Sequence, residues 1–461
     1  MASRPNILII MPDQFRADAL GCAGHPVFRT PHLDRLAREG VHFTQAYATS
    51  PLCMPARASV LTGTYPHNHH IQGNRGQLPA DDETFAQLVQ QAGYHTAYIG
   101  KSHFYPHGRG VDMVDYEPYM HARGFEDVHE VAGPQAMVTT ENSLSRHWRE
   151  RGLLELYRED YRRRHQYGAH AVWPSPLPEE EFLDSYIGAR AVEWLERYDD
   201  SRPFCAWVAF GGPHTPWDAP GRYATMYDPA AMPDPLPAET PGEWVPAHAR
   251  ERMLAGRDAA FTPEVSRRAM ANYGGKVTLI DDWIGRLLDV LDRRGWTENT
   301  LVIFWSDHGE MGGDHLRHGK IVFYESSVRI PLMLRWPAEL PAGRQTSALV
   351  EQIDLFGTII EATGAPASQR AFGASLLPLA RGEVEQLHDA VFAEVHRSIM
   401  IRTPRYKYAI DPQARGFLLH DLVADPHEQR NLIGHPEHAA TERDLREQLL
   451  TWLVSTQIER Q

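Results

Sequence analysis

PNILIIMPDQ, residues 5–14, sets an unbroken run of apolar, largely β-branched residues between Pro5 and Pro12 and follows it with Asp13 and Gln14. A strand with one wet face alternates apolar and polar residues. An unbroken run instead fits a strand covered on both faces, as in a sheet sandwiched by helices. Similar runs recur at YHTAYIG (94–100), PFCAWVAF (203–210), LVIFWS (301–306) and IPLMLRW (330–336). Helical patterns lie between them. TPHLDRLAREG carries an N-cap threonine (Thr30), a proline in the first turn, Leu33, Leu36 and Ala37 on one side and Gly40 as a stop. From Val277 to Gly295, Ile280, Ile284, Leu287, Leu288 and Leu291 recur at helical spacing. Strands alternating with helices predict an α/β fold: a large, mostly parallel sheet sandwiched by helices.

Two stretches depart from this alternation. Residues 104–180 are rich in His, Tyr, Arg and Gly, and residues 213–246 in proline, so both are expected to be long excursions over the rim of the sheet. Tyr105, Arg109, Trp173, Trp217 and His396 are available there, and later in the chain, to line a pocket. The charge run YRRRHQY (161–167) is expected to be a solvated helix face, and YPHNHH (65–70) a polar turn. Beyond residue 375 the pattern changes to short strands (AVFAEV, SIMIRT, YKYAI, GFLLHDL) and a closing helix near 438–455. This predicts a catalytic α/β domain over 1–375 and a small C-terminal subdomain, an antiparallel sheet with a helix, over 376–461.

Composition narrows the function. The 461 residues include 46 Lys+Arg against 60 Asp+Glu, a formal charge of -14, which repels nucleic acid and anionic lipid while leaving room for a local basic pocket. Three cysteines, Cys22, Cys53 and Cys205, cannot form an even disulfide framework, and a reducing compartment is expected. The apolar stretch near the start is too short for a signal peptide, and no run of about 18 apolar residues follows, so no membrane partner and a cytoplasmic location are expected.

In an open parallel sheet, ligands gather beyond the carboxyl ends of the strands. That position is occupied by Asp13 and Gln14 after the first strand, Lys101 and His103 after the 94–100 run, His214 after the 203–210 run, and Asp307 and His308 after the 301–306 run. Two carboxylates, an amide oxygen and an imidazole suit a divalent ion: oxygen donors favour Ca2+, Mg2+ or Mn2+, and the imidazole tilts the set toward Mn2+ or Zn2+.

CMPAR (53–57), the Asp13-Gln14 pair, SDHGEMGGDH with the later HGK (306–320), and HDLVADPHEQRNL (420–432) together resemble the sulfatase family of the alkaline-phosphatase-like superfamily, in register over nearly the whole chain. The resemblance implies a formylglycine made from Cys53 by a separate formylglycine-generating enzyme, and one metal ion, Ca2+ first with Mn2+ or Mg2+ as alternatives. It implies that Asp13, Gln14, Asp307, His308 and the modified Cys53 hold that ion. Asp307 would also serve as base, and Arg57 would orient the diol. Lys101 and Lys320 would neutralise sulfate oxygens, His214 would protonate the leaving alcohol, and His103 would take the second diol proton. Asn74 would touch the ester oxygens or the metal. A small-molecule sulfate ester is the implied substrate, and assembly into a homo-oligomer stays open.

Two positions depart from the common sulfatase pattern. Gln14 and His308 stand where many sulfatases have Asp and Asn, and this pair resembles the phosphonate monoester and phosphodiester hydrolases of the same superfamily. Lys101 and His103, in contrast, match the sulfatase pair. A sulfate ester is therefore expected first and a phosphorus ester second. A non-catalytic protein that binds an oxyanion with Cys53 unmodified is the third reading.

Overall fold

The computed structural model describes residues 4–458. At its centre is an eight-stranded sheet in the order Arg344–Thr346, Val41–Phe43, Leu332–Arg335, Thr300–Trp305, Asn6–Asp13, Phe204–Pro213, His95–Lys101, Asp127–Val131. Seven strands share one direction, and Leu332–Arg335 runs against both of its neighbours. All five apolar runs contribute a strand to this sheet, the last of them through Leu332–Arg335. Every residue of Phe204–Pro213 and Thr300–Trp305 is buried, as is every residue of Asn6–Asp13 except Asn6, which explains why those segments do not alternate.

Helices Pro31–Glu39, Leu183–Arg197 and Pro263–Arg293 pack against one another on one face of the sheet; Cys53–Thr62, Phe85–Gln91 and Asp354–Thr363 cover the other. Leu33, Leu36 and Ala37 are buried as their spacing predicts. The start of their helix differs from expectation. Thr30 makes no side-chain cap; its hydroxyl instead donates to Asp34 at 3.0 Å. The orphan N–H groups of His32 and Leu33 donate to Asp281, 3.1 and 2.7 Å away on the long helix, so the cap comes from a different element. That long helix begins at Pro263, well before the periodicity at Val277. Its first half buries Ser266, Asn272, Gly274, Gly275 and Lys276, whose polarity hides the apolar stripe.

The sequence pattern did not reveal three short strands of the sheet. Val41–Phe43 and Arg344–Thr346 have three residues each, too few for a period, and Asp127–Val131 is a half-exposed edge strand with charged residues. The excursion over 104–180 also carries helices Glu117–Ala122, Ser143–Glu150 and Leu154–Tyr167. Within the last of these, YRRRHQY is not merely a solvated face: Arg164 is buried and donates to the carbonyls of Trp217 (3.0 Å), Trp173 (3.0 Å) and Pro174 (2.9 Å), tying the excursion to the Pro-rich loop. YPHNHH is no open turn either. Asn68 and His69 are buried, with His69 Nε2 3.0 Å from Ser59 Oγ.

The C-terminal sheet is antiparallel in the order Val391–Val395, Ser398–Arg402, Tyr406–Ile410, Gly416–Asp421, and helix Ala439–Ser455 packs on it. Leu376, Leu377, Leu379 and Ala380, upstream of this sheet, pack in the core of the large sheet. A small sheet of Val350–Glu351, Ala46–Tyr47 and Arg329–Ile330 lies between the two. The chain entering the small sheet is held by His388, whose Nε2 donates to Asp354 Oδ2 at 2.9 Å.

Burial lowers the His388 pKa, but the Asp354 carboxylate outweighs it and raises the imidazole from 6.5 to about 9. A raised folded-state pKa stabilises fully below the unfolded value and is lost as pH climbs through the folded one. Unfolding free energy should therefore fall by roughly 1–3 kcal/mol between about pH 6.5 and 9, and His388→Gln should flatten that segment. Urea titrations at several pH values measure this; an unchanged slope in the variant would mean the pair contributes nothing.

Candidate active site

Four neighbouring strands of the sheet, Thr300–Trp305, Asn6–Asp13, Phe204–Pro213 and His95–Lys101, run in the same direction, so their carboxyl ends meet at one rim. Asp13 and Lys101 close two of them, and His214 and Asp307 follow the other two. Cys53 reaches this rim from the opposite layer, as the first residue of helix Cys53–Thr62, all ten residues of which are buried. The helix start places the positive end of the dipole beside its sulfur. Asn74 accepts from the Met54 N–H at 3.1 Å and so braces that first turn.

Cys53 Sγ lies 3.0 Å from Lys320 Nζ, 3.2 Å from His308 Nε2, 3.6 Å from Asp13 Oδ1 and 3.9 Å from Lys101 Nζ. Burial alone would push this thiol up, but Lys101, Lys320 and His308 outweigh it and hold it well below the ordinary thiol range. Four of the predicted ligands converge: donor atoms of Asp13, Cys53, Asp307 and His308 all lie within 4.8 Å of one another. Gln14 joins them. Its backbone N–H donates to Asp307 Oδ1 at 2.9 Å, and its side-chain oxygen accepts from Lys320 at 2.6 Å while its amide nitrogen donates to Glu310.

Arg57, one helical turn after Cys53, is fully buried. Its Nε donates to Asp307 Oδ2 at 3.0 Å and a terminal nitrogen to Asp13 Oδ2 at 2.7 Å, and the Lys101 carbonyl accepts from the other. This is no surface ion pair, and the guanidinium is taken up by the two carboxylates, orienting them. Lys101 Nζ also donates to Asp13. Burial, then Cys53, push the Asp13 carboxyl up, yet Lys101, Lys320 and Arg57 bring it below its usual range. Asp307, with fewer cations, is raised by burial and by the facing Asp13.

The donor set fits a divalent ion. The Gly309 carbonyl, 3.0 Å from His308 Nδ1, can only accept, so Nδ1 carries a proton and Nε2 faces the cluster; burial lowers the His308 pKa but Asp307 outweighs it and raises it, so a bound ion would take the place of the Nε2 proton. Lys320 and Lys101 reach the same oxygens as ammonium groups, which shows how strongly the cluster attracts positive charge. Backbone adjustments make room. Gln14 adopts a left-handed φ of 68°, and a Cβ at Gly133 would stand 2.7 Å from Lys101 Cε.

A cavity of about 530 Å3 opens over Cys53, walled by Asn74, Lys101, His103, His107 and His214. Burial, then Lys320, push the His214 pKa down; its Nδ1 donates to the Thr215 carbonyl at 2.6 Å, which leaves Nε2 available. Burial also lowers His103, whose Nδ1 has no protein partner. His107 went unnoticed in the sequence, though both its ring nitrogens are unpartnered and it follows His103 by one loop turn. Glu310, which orients Gln14 and accepts from the N–H groups of Gly312 (2.8 Å) and Gly319 (2.5 Å), was legible only as part of SDHGEMGG. Arg162 and His165 of the charge run line this cavity as well, whereas Tyr105 and Trp217 are core residues.

The sulfatase family profile matches residues 5–365, and a second, described as N-sulphoglucosamine sulphohydrolase, C-terminal, matches residues 313–454. The chain is 32% identical to the multifunctional alkaline phosphatase superfamily protein PehA of Trinickia caryophylli, over 98% of this chain and 96% of that one. It is 30% identical to an arylsulfatase of Clostridium perfringens, over 94% and 91%. The crystal structure of the phosphonate monoester hydrolase of Agrobacterium radiobacter superposes with a TM-score of 0.79 at 27% identity, covering 98% of this chain and 96% of that one. The helix that begins at Cys53, the paired carboxylates and both lysines fall inside these matched regions: this chain belongs to the sulfatase family of the alkaline-phosphatase-like superfamily.

Proposed function

We propose that the protein hydrolyses organic sulfate monoesters, with residue 53 acting as nucleophile after a formylglycine-generating enzyme has oxidised it, and with one divalent ion held by Asp13, Gln14, Asp307 and His308. The observation behind this reading is the surroundings of Cys53 Sγ, which has Lys320, His308, Asp13 and Lys101 all within 3.9 Å. An inert buried cysteine needs none of them.

As a hydrated aldehyde, residue 53 has two hydroxyls, so that one oxygen can displace the alcohol at sulfur while proton loss from the other re-forms the carbonyl and releases sulfate. A divalent ion held by these residues would supply Lewis acidity, making a nearby hydroxyl more acidic and offsetting charge on the ester. The side chains carry the rest. Lys101 and Lys320 neutralise oxygens of the ester as charge builds on them. Asp307, raised by burial and Asp13, accepts the proton of the attacking hydroxyl. An arriving anion counters the push that burial and Lys320 exert on His214, so that Nε2 can carry the proton the leaving alcohol needs. His103 takes the second hydroxyl proton. Arg57 keeps both carboxylates ionised and aimed.

A second reading, hydrolysis of phosphonate monoesters or phosphodiesters, is favoured by the amide of Gln14 in place of a carboxylate and by the likeness to the Agrobacterium enzyme. These esters carry one negative charge, as a sulfate monoester does, so electrostatics alone does not separate them. The kcat/KM values of the matured enzyme for 4-nitrophenyl sulfate and for the 4-nitrophenyl ester of phenylphosphonate rank the two: a sulfate advantage of at least about tenfold, or 1.4 kcal/mol in the barrier, is expected, and the reverse order would put phosphorus first.

Cys53→Ala should lower turnover by at least about a thousandfold, while a loss of order 1 kcal/mol in stability moves the Tm of a chain this long by only about 1–2 °C. Peptide mass analysis of the segment around Cys53 should find the aldehyde; an intact thiol in fully active enzyme would refute the mechanism and leave oxyanion binding alone. Dialysis against a chelator should abolish activity, with Ca2+ or Mn2+ restoring it, and should lower Tm, since the donors of a buried cluster lose their shared ion. Activity and Tm that ignore the chelator would remove the metal from the reading.

A further inference from the structure

A second cavity, of about 600 Å3, adjoins the reaction centre through Lys320, which lines it while its ammonium stands 3.0 Å from Cys53 Sγ. Its walls come from helix Ala247–Leu254, the segment 311–324 and the C-terminal sheet. The volume alone is ample for a small organic group.

The charge on these walls runs against that of the chain. Arg252, Arg317, His318, Lys320 and His396 face one carboxylate, Glu239, in a protein with 60 acidic and 46 basic residues. Glu239 accepts from the Tyr324 hydroxyl, and burial pushes its carboxyl up to about 7, which weakens its opposition to an anion. Arg317 is buried; it donates to the Met253 carbonyl at 2.8 Å, yet its Nε has no partner. Arg252 donates to Ser398 Oγ at 3.2 Å and lies over the Phe417 ring at 4.6 Å. Among the described residues, neither arginine forms a salt bridge. A buried guanidinium N–H such as Arg317 Nε calls for an acceptor, and with the exposed, unpaired Arg252 on the same cavity it points to one supplied by a ligand.

The hairpin that closes this cavity is held under strain. His396 and Arg397 join two paired strands at φ 48° and 64°, where Asn-Gly would sit at ease, and both backbone N–H groups are tied to Gln72 beside the nucleophile helix. Met253, Phe323 and Phe417 add apolar surface between the charges.

We propose that this cavity receives a second anionic group, a carboxylate or another sulfate, carried by the alcohol half of the ester and bound by Arg252 and Arg317. The inference rests on the ester-hydrolase reading above. In that reading the leaving oxygen lies between His214, which lines the first cavity, and Lys320, which lines the second, so an alcohol attached there can extend into this one.

The test compares kcat/KM for 4-nitrophenyl sulfate with that for aryl sulfates bearing a ring carboxylate or a second sulfate, the two arms separating the sources of the anion. Wild-type enzyme should favour at least one dianion by about tenfold at low ionic strength, with the advantage shrinking in roughly 0.5 M salt. Arg252→Gln should erase the preference and leave the monoanion within about twofold, and Arg252→Lys should retain part of it. Equal rates for mono- and dianions in the wild type, or equal losses on both in Arg252→Gln, would overturn the proposal. Calorimetric titration with benzene-1,3-dicarboxylate, which has no ester, reads the site without turnover. Weaker binding to Arg252→Gln is expected, and identical binding counts against the site. Turnover of neither ester alongside arginine-dependent dicarboxylate binding would overturn the hydrolase reading alone.

Discussion

The bridge from Arg57 to Asp13 and Asp307 is the contact on which the site depends. Two fully buried carboxylates from adjacent strands would neutralise themselves by taking up protons if nothing paired with them. A guanidinium cannot give up its charge, and its planar fork bonds both at once. Because Arg57 stands four residues after Cys53 on one buried helix, the same contact fixes the sulfur against the strand ends. An ionic contact that keeps the two carboxylates charged thereby also positions Cys53. Lysine in its place would supply one point charge and lose either the pairing or the register.

The large sheet makes that contact attainable. Asp13, Lys101, His214 and Asp307 are far apart in the chain, yet each ends or follows one of four adjacent parallel strands. Parallel order requires every return crossing to run over a face, and these crossings supply the buried helices from which Arg57 and Lys276 reach the rim. Lys276, on the long helix, donates to the His214 and Pro216 carbonyls at 2.7 and 3.2 Å and pairs with Asp218 at 3.0 Å, so the His214 loop is tied down from behind. The site therefore consists of strand ends held from both layers.

This also explains what could be read in advance. Doubly covered strands leave unbroken apolar runs, and the rule that ligands gather at carboxyl ends selects Asp13, Gln14, Lys101, His103, His214, Asp307 and His308 from position alone, whereas Cys53, Arg57 and Lys320 needed the family resemblance. Elements whose stability comes from elsewhere left no such trace. Val41–Phe43 is too short to show a period, and the first half of the long helix buries polar residues that are satisfied by other segments, as Asn272 is by the Ala219 N–H at 2.9 Å. Arg164 sits in a charge run that looks solvated, and only the fold reveals that it holds four carbonyls. The cap of the first helix is invisible for the same reason: Asp281 supplies it from about 250 residues away.

The balance of charge gives Gln14 its meaning. Around Cys53, Arg57, Lys101 and Lys320 face Asp13, Asp307 and Glu310, three cations against three carboxylates, so a divalent ion would leave the centre positive inside a chain of net charge -14. A carboxylate at position 14 would cancel one of those charges and would form an ion pair with Lys320, to which the amide oxygen now lies at 2.6 Å. The neutral amide orients the ammonium without neutralising it. In the proposed reaction that leaves Lys320 free to meet the growing charge on an ester oxygen, and it suits a monoanionic ester whether sulfur or phosphorus is at its centre. Discrimination between the two then falls to the space around the central atom, because the phosphorus esters carry one more organic substituent there.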